Sequence, residues 1–173
     1  EALRLAAMNG HTDVLRFLKD NFGLTTHDAR AKNNQALILS RDIDVLRFLK
    51  DEFRLTTNDA RTFDNFALRH AAYDSHVEVL RFLKKEFGLT TEDARARDNE
   101  ALRSASRNGH IKVLCVLKDE FGLTDDDARS KDNEALRNAY SNGHEKVIEF
   151  FENEFGLTVV EPSANNSNCC TIS

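Results

Sequence analysis

Tryptophan is absent, proline occurs once (Pro162), methionine once and cysteine three times. Each scarcity excludes something. With a single Pro, nearly the whole chain is free of the residue that most strongly breaks helices. Cys115, Cys169 and Cys170 are an odd set with two adjacent near the end, which is no disulfide framework and fits a reducing cytosol. No apolar run approaches the roughly 20 residues that cross a bilayer, and the amino terminus lacks the charge-then-hydrophobic pattern of a signal peptide. Positive charge is not in excess either: 24 Lys and Arg against 29 Asp and Glu give a net charge of -5 and a pI near 5.7. That balance argues against a nucleic-acid binder, which needs a basic stripe to displace counterions from phosphates. What is present suits a soluble domain with a core, at 40% hydrophobic and 31% charged residues. Ala, Leu, Arg, Lys and Glu are abundant helix formers, so an all-α fold is expected.

The chain repeats itself. Ala-Leu followed by Arg or Ile begins at Ala2, Ala36, Ala67, Ala101 and Ala135, with spacings of 34, 31, 34 and 34 residues. Phe-Gly-Leu-Thr or a close variant begins at Phe22, Phe53, Phe87, Phe121 and Phe155. The second of five units is therefore three residues short.

Within one unit, Ala101, Leu102 and Ala105 lie on one face of a short helix. Asn108-Gly109-His110 then makes a turn. Val113, Leu114, Val116, Leu117 and Phe121 form an apolar stripe on a second helix, which Gly122 ends. A hairpin of this kind cannot bury both faces alone, and stacking on its neighbours solves that. Thr90-Thr91-Glu92-Asp93-Ala94-Arg95 places a hydroxyl three residues before an acid, a capped helix start that recurs in the other units. A single helical turn is expected there, with a loop or hairpin as the alternative. Asp98-Asn99 and its counterparts suit a tight turn into the next hairpin.

These features resemble the ankyrin repeat, in which a Gly-His turn is followed by paired aliphatics. Here those are Gly109-His110 with Val113-Leu114, Gly10-His11 with Val14-Leu15, and Gly143-His144 with Val147-Ile148. The resemblance runs from Glu1 to about Thr158. It departs from the family where Glu-Ala-Leu-Arg replaces Thr-Pro-Leu-His at 100–103 and 134–137, and in its period of 34 rather than 33. It implies an all-α fold, an α-solenoid of stacked ankyrin-like helical hairpins over residues 1–158, followed by a flexible tail over 159–173. It also implies a concave surface that binds proteins without chemistry of its own.

Repetition separates structural residues from candidate binding residues, because what recurs at one register serves the stack. The Phe22, Phe53, Phe87, Phe121 and Phe155 register is expected in the core. Arg30, Arg61, Arg95 and Arg129, with Asp28, Asp59, Asp93 and Asp127 two residues before each, are expected to ladder between units rather than face an acidic ligand. Arg4, Arg69, Arg103 and Arg137 form another register. His11, His76, His110 and His144 share the turn register, where the imidazole is expected to bond to turn backbone. No His or Cys set has zinc-ligand spacing, and no nucleophile sits in a recognisable motif, so neither a metal, a cofactor nor a catalytic residue is expected. Departures from the repeat point instead to partner binding. Phe66, His70 and Tyr73 stand at i, i+4 and i+7 on one helical face. With Arg103 and Arg107 beside them they are the expected centre of a protein-binding surface.

The ends add two expectations. The last helix carries Glu145, Lys146, Glu149, Glu152, Asn153 and Glu154, the polar outer face of a capping unit. The first unit instead exposes Leu5, Ala6 and Met8, so more repeats or another domain are expected upstream. In the short second unit the Asn-Gly-His turn is missing, and either its first helix is shortened or the unit is damaged. The final Cys170-Thr171-Ile172-Ser173 fits a Cys-aliphatic-aliphatic-X prenylation signal, with terminal Ser favouring farnesyl and Cys169 available for palmitoylation. The resulting expectation is a monomeric, non-catalytic adaptor for a protein partner in the cytoplasm, tethered to the cytosolic face of a membrane by its tail. The alternative is the substrate-recruiting repeat region of a larger enzyme whose catalytic domain lies upstream.

Overall fold

The computed structural model describes residues 1–160 and 171–172, with side chains through residue 158. Those residues are almost entirely helical. In chain order the helices are α1 (Ala2–Met8), α2 (Thr12–Phe22), α3 (Thr26–Ala29), α4 (Ala31–Ile38), α5 (Ile43–Glu52), α6 (Thr57–Ala60) and α7 (Thr62–Tyr73). Then follow α8 (Val77–Phe87), α9 (Thr91–Ala94), α10 (Ala96–Arg107), α11 (Ile111–Cys115, continuing through a π-helical turn at Val116–Glu120), α12 (Asp125–Ala128), α13 (Ser130–Ser141) and α14 (Glu145–Phe155). The backbone of Val159–Val160 also pairs antiparallel with Thr171–Ile172.

The helices pack in two rows. The first helix of each unit meets the next unit's first helix, along α1, α4, α7, α10 and α13. The second helices α2, α5, α8, α11 and α14 do the same. Between the rows lies a core of Ala from the first helices and Leu, Val and Phe from the second: Ala72, Leu80, Ala105, Leu114, Ala139 and Val147 are almost wholly removed from water. Small residues on one row and large ones on the other let the helices approach closely.

The Thr-x-x-Asp segments are single helical turns, α3, α6, α9 and α12. Each is closed by a reciprocal capping box, such as the Thr90 amide and hydroxyl both donating to Asp93 at 2.8 and 3.0 Å. The turn after each one is more unusual than its sequence suggests. Three consecutive residues adopt left-handed backbone: Lys32 to Asn34, Phe63 to Asn65, Arg97 to Asn99 and Lys131 to Asn133. A left-handed residue costs about 1–2 kcal/mol, less for Asn and Asp, so such a run has to be held from outside. In three of these four units an Arg of the Arg69 register holds it, whereas the second unit has Ile38 there. Arg69 donates to the carbonyls of Asp64 and Phe63, both at 2.9 Å, and Arg103 to those of Asp98 and Arg97, both at 3.0 Å.

The Arg–Asp ladder between units also forms. Arg30 forks Asp59 at 2.7 and 2.9 Å, Arg61 forks Asp93 at 2.8 and 2.9 Å, and Arg95 forks Asp127 at 2.8 and 3.0 Å. Arg129 pairs with Asp125 of its own turn instead. Three expectations are corrected. Phe22 is 67% exposed and is not part of the core, although Phe53, Phe87, Phe121 and Phe155 are. Ala6 is buried, while Leu5 and Met8 are exposed as anticipated. The turn histidines reach across rather than within their own turn: His110 Nε2 meets the Tyr73 carbonyl at 2.9 Å and His144 Nε2 the Arg107 carbonyl at 2.8 Å. In the short unit the first helix is the shortened part. It ends at Ile38, and Asp42 caps the second helix by accepting from the amides of Asp44 and Val45, replacing the Gly-His turn.

Candidate binding face

In two neighbouring pairs of units the first-helix Arg carries an ion pair to the acid that opens the next unit's first helix. Arg69 Nη1 meets Glu100 at 2.7 Å, and Arg103 Nη1 meets both oxygens of Glu134 at 2.9 Å. Between the second and third units those two registers hold Ile38 and Phe66. Both charges are replaced at once by apolar groups. Phe63 replaces the basic residue of the left-handed turn, Lys32, Arg97 or Lys131 in the other units, and is 55% exposed. Together with Leu39 these residues line a cleft of about 530 Å³ whose rim carries Gln35, Arg69, Arg97 and Glu100.

α7 carries three of the anticipated residues along this cleft and beyond it. Phe66 is half-buried, with its ring 5.6 Å from that of His70 and the Arg69 guanidinium 5.2 Å from its centre. Tyr73, further along the same helix, is 54% exposed. Arg103 is drawn instead into the structural clamp on the left-handed turn and the pair with Glu134. Arg107 stays exposed, 3.8 Å from Glu134. Ile38, Leu39 and Phe63 complete the cleft and were not singled out from sequence as binding residues. The available signal was the coincidence of Ile38 and Phe66 at two registers that are charged elsewhere.

The end of α7 carries a polar cluster. Asp74 accepts from Arg41 at 2.8 Å and lies 3.6 Å from His70 Nε2 and 3.8 Å from His76 Nε2. The shortened second unit lacks the turn segment that supplies a carbonyl to His110 and His144 in theirs, and His76 Nε2 is buried without a hydrogen bond. Burial first, and then the charge of Arg41, lower the His76 pKa, with Asp74 opposing. No group of three or more His, Cys, Asp or Glu among the described residues is arranged to hold a metal ion.

A second groove, of about 650 Å³, opens between α8 and α11 where Cys115 and Val116 replace the Arg and Phe of the first three units. Its charges are largely spent on one another, since Arg81 pairs with both Glu78 and Glu120. Burial, then Asp119 and Glu154, raise the pKa of the Cys115 thiol, which opposes formation of the nucleophilic thiolate. No helix among the described residues is long and apolar enough to cross a membrane. Comparison with protein-family models, with curated proteins and with solved structures gave no match in any of the three.

Proposed function

We propose that the chain is an ankyrin-like α-solenoid that binds a protein partner through the Ile38–Phe66 cleft and the adjoining face of α7, without chemistry of its own. The observation that carries this reading is the paired replacement of an inter-unit ion pair by Ile38 and Phe66, in a stack whose recurring residues are consumed by structure. Phe63 and Tyr73, both more than half exposed, flank the cleft and α7 with large rings that bury much area at low entropic cost. Apolar side chains of the partner fill the cleft, and rim charges such as Arg97 fix its orientation.

Replacing Phe63 and Tyr73 together by Ala tests this by quantitative affinity capture, because both are exposed and their removal leaves the core intact. Proteins retained by the wild type and lost from the variant are the expected result. Identical retention by two equally stable proteins overturns the reading.

The tail adds a second layer to the proposal: farnesylation at Cys170 and palmitoylation at Cys169 hold the stack at the cytosolic face of a membrane. Cys169, Cys170 and Ser173 lie outside the described residues. Two lipids are required because one short chain gives only marginal membrane residence. Mass spectrometry of the carboxyl-terminal peptide from a eukaryotic host tests it. An unmodified Cys170 with Ser173 retained rules it out.

A further inference from the structure

The contact between successive second helices is built the same way between the first and second units and between the second and third, with a variant of it between the third and fourth. The downstream unit presents an aromatic pair set edge to face: Phe48 with Phe53 at 5.8 Å between ring centres, and Phe82 with Phe87 at 5.9 Å. The upstream unit lays a cation over a ring, with Arg16 5.2 Å from the centre of Phe48, Arg47 5.9 Å from Phe82 and Lys84 5.0 Å from Phe121. It also sends its Arg fork to the downstream Asp, as Arg30 does to Asp59. Rings and carboxylates covered in this way are buried: Phe48 is 5% exposed, Phe82 6%, and Asp59, Asp93 and Asp127 6% each.

The first unit carries the downstream half of this contact with nothing laid on it. Phe17 and Phe22 are already set edge to face, 6.0 Å apart, yet they are 57% and 67% exposed. Asp28 closes its capping box with Thr25 as its counterparts do, and no Arg among the described residues forks it. Leu5, Met8 and Val14 are exposed on the same unit. Two large rings in contact with each other and left exposed mark a contact site.

We propose that this amino-terminal face of α2 is a docking surface for one further helical hairpin of the same construction, which sets a basic side chain over Phe17 and an Arg fork on Asp28. The proposal rests on the inter-unit contact alone and is independent of the Ile38–Phe66 cleft. A second copy stacked head to tail does not fit. At the registers that hold Arg16 and Lys19 in the first unit, α14 has Glu149 and Glu152, which would direct carboxylates at the negative faces of the rings.

The test places a copy of residues 67–99 directly before Glu1, so that the copied Arg81 faces Phe17 and the copied Arg95 faces Asp28. Hydrogen exchange over residues 12–29 of the extended chain is expected to slow by about tenfold or more relative to the parent. The slowing is expected to shrink when the copied Arg81 and Arg95 are both replaced by Ala. As a second measurement on the parent itself, Phe17→Glu with Phe22→Glu is expected to leave its melting temperature almost unchanged, since the rings are not covered there. Unchanged exchange in the extended chain overturns the proposal. So does a parent chain that dimerises in sedimentation and loses the dimer in the double Glu variant, because the face then belongs to a second copy.

Discussion

Ile38 and Phe66 occupy the two registers that Arg69 and Glu100, and again Arg103 and Glu134, fill with an ion pair. Ile38 is 5% exposed, so an Arg placed there beside Phe66 is a buried charge with no acid opposite. Losing one partner of a buried pair costs about 3–5 kcal/mol, whereas exchanging the whole pair for apolar groups is near neutral. Ile38→Arg is therefore expected to lower stability by about 3 kcal/mol, and adding Phe66→Glu to recover most of it. Urea unfolding of the two single variants and the double variant measures the coupling. Additive losses would show that the two registers are not linked. The double variant also takes Ile38 and Phe66 out of the cleft's apolar lining while leaving the stack folded, so it is expected to bind the partner more weakly.

The capping aspartates provide an internal comparison. Asp93 serves both its Thr90 box and the Arg61 fork, whereas Asp28 serves its Thr25 box only. Asp28→Ala removes only the N3 partner of the Thr25 cap and should cost measurably less than Asp93→Ala. Asp93→Ala should cost about 3 kcal/mol, the excess coming from charge-assisted bonds discounted because Arg61 is partly exposed. Equal losses in chemical denaturation would mean that the ladder contributes nothing measurable.

Acid should unfold the stack through these same groups. Burial alone would raise the pKa values of Asp59, Asp93 and Asp127, but the Arg forks and the Thr amides and hydroxyls outweigh it, so all three are lowered. The unfolded chain then binds protons more readily, and the stabilisation is complete above the ordinary Asp range near pH 4. It drains away as pH falls through the lower folded values. His76, also lowered, adds a loss that begins higher, as pH falls below about 6.5. Melting temperatures measured from pH 7 to 2 should show a shallow decline near pH 6 and a steep one below 4. His76→Gln should abolish only the first.

How much of this was legible in the sequence depends on whether a residue's task is local. The capping boxes were, because Thr90 and Asp93 lie three residues apart and the motif carries its own geometry. The Arg–Asp ladder was anticipated from recurrence, and the structure forms three rungs. The left-handed turn was not. Asp98-Asn99 signals a turn, but Arg97 gives no sign of left-handed backbone, and what holds it there is Arg103, six residues further along α10. Phe22 was misplaced for a related reason. Its register is apolar in every unit, but burial requires a unit on the upstream side, and position in the stack is not written in the residue itself. Of the candidate binding face, Phe66, His70 and Tyr73 were singled out by their spacing. Ile38 was read only as a break in the Arg register, because its relation to Phe66 is visible only once the ion pairs at the equivalent registers have been located.

The turn between the two helices of a unit yields a paired prediction of opposite sign. Gly109 has a φ of +73°, and a Cβ placed on it would lie 2.8 Å from His144 Nδ1, since that imidazole crosses the turn to reach the Arg107 carbonyl. An Ala there suffers both the left-handed penalty of about 1 kcal/mol and a collision that dislodges the His144 bond. In the third unit Ser75 occupies the same register at a φ of +63°, so the fold already bears the left-handed penalty at that turn. Gly109→Ala is accordingly expected to destabilise by about 2–3 kcal/mol, and Ser75→Gly to stabilise by about 0.5–1 kcal/mol. Adding His144→Ala to Gly109→Ala separates the two contributions. If the collision matters, the double variant is less unstable than the sum of the single ones, whereas simple additivity leaves backbone conformation as the whole cost.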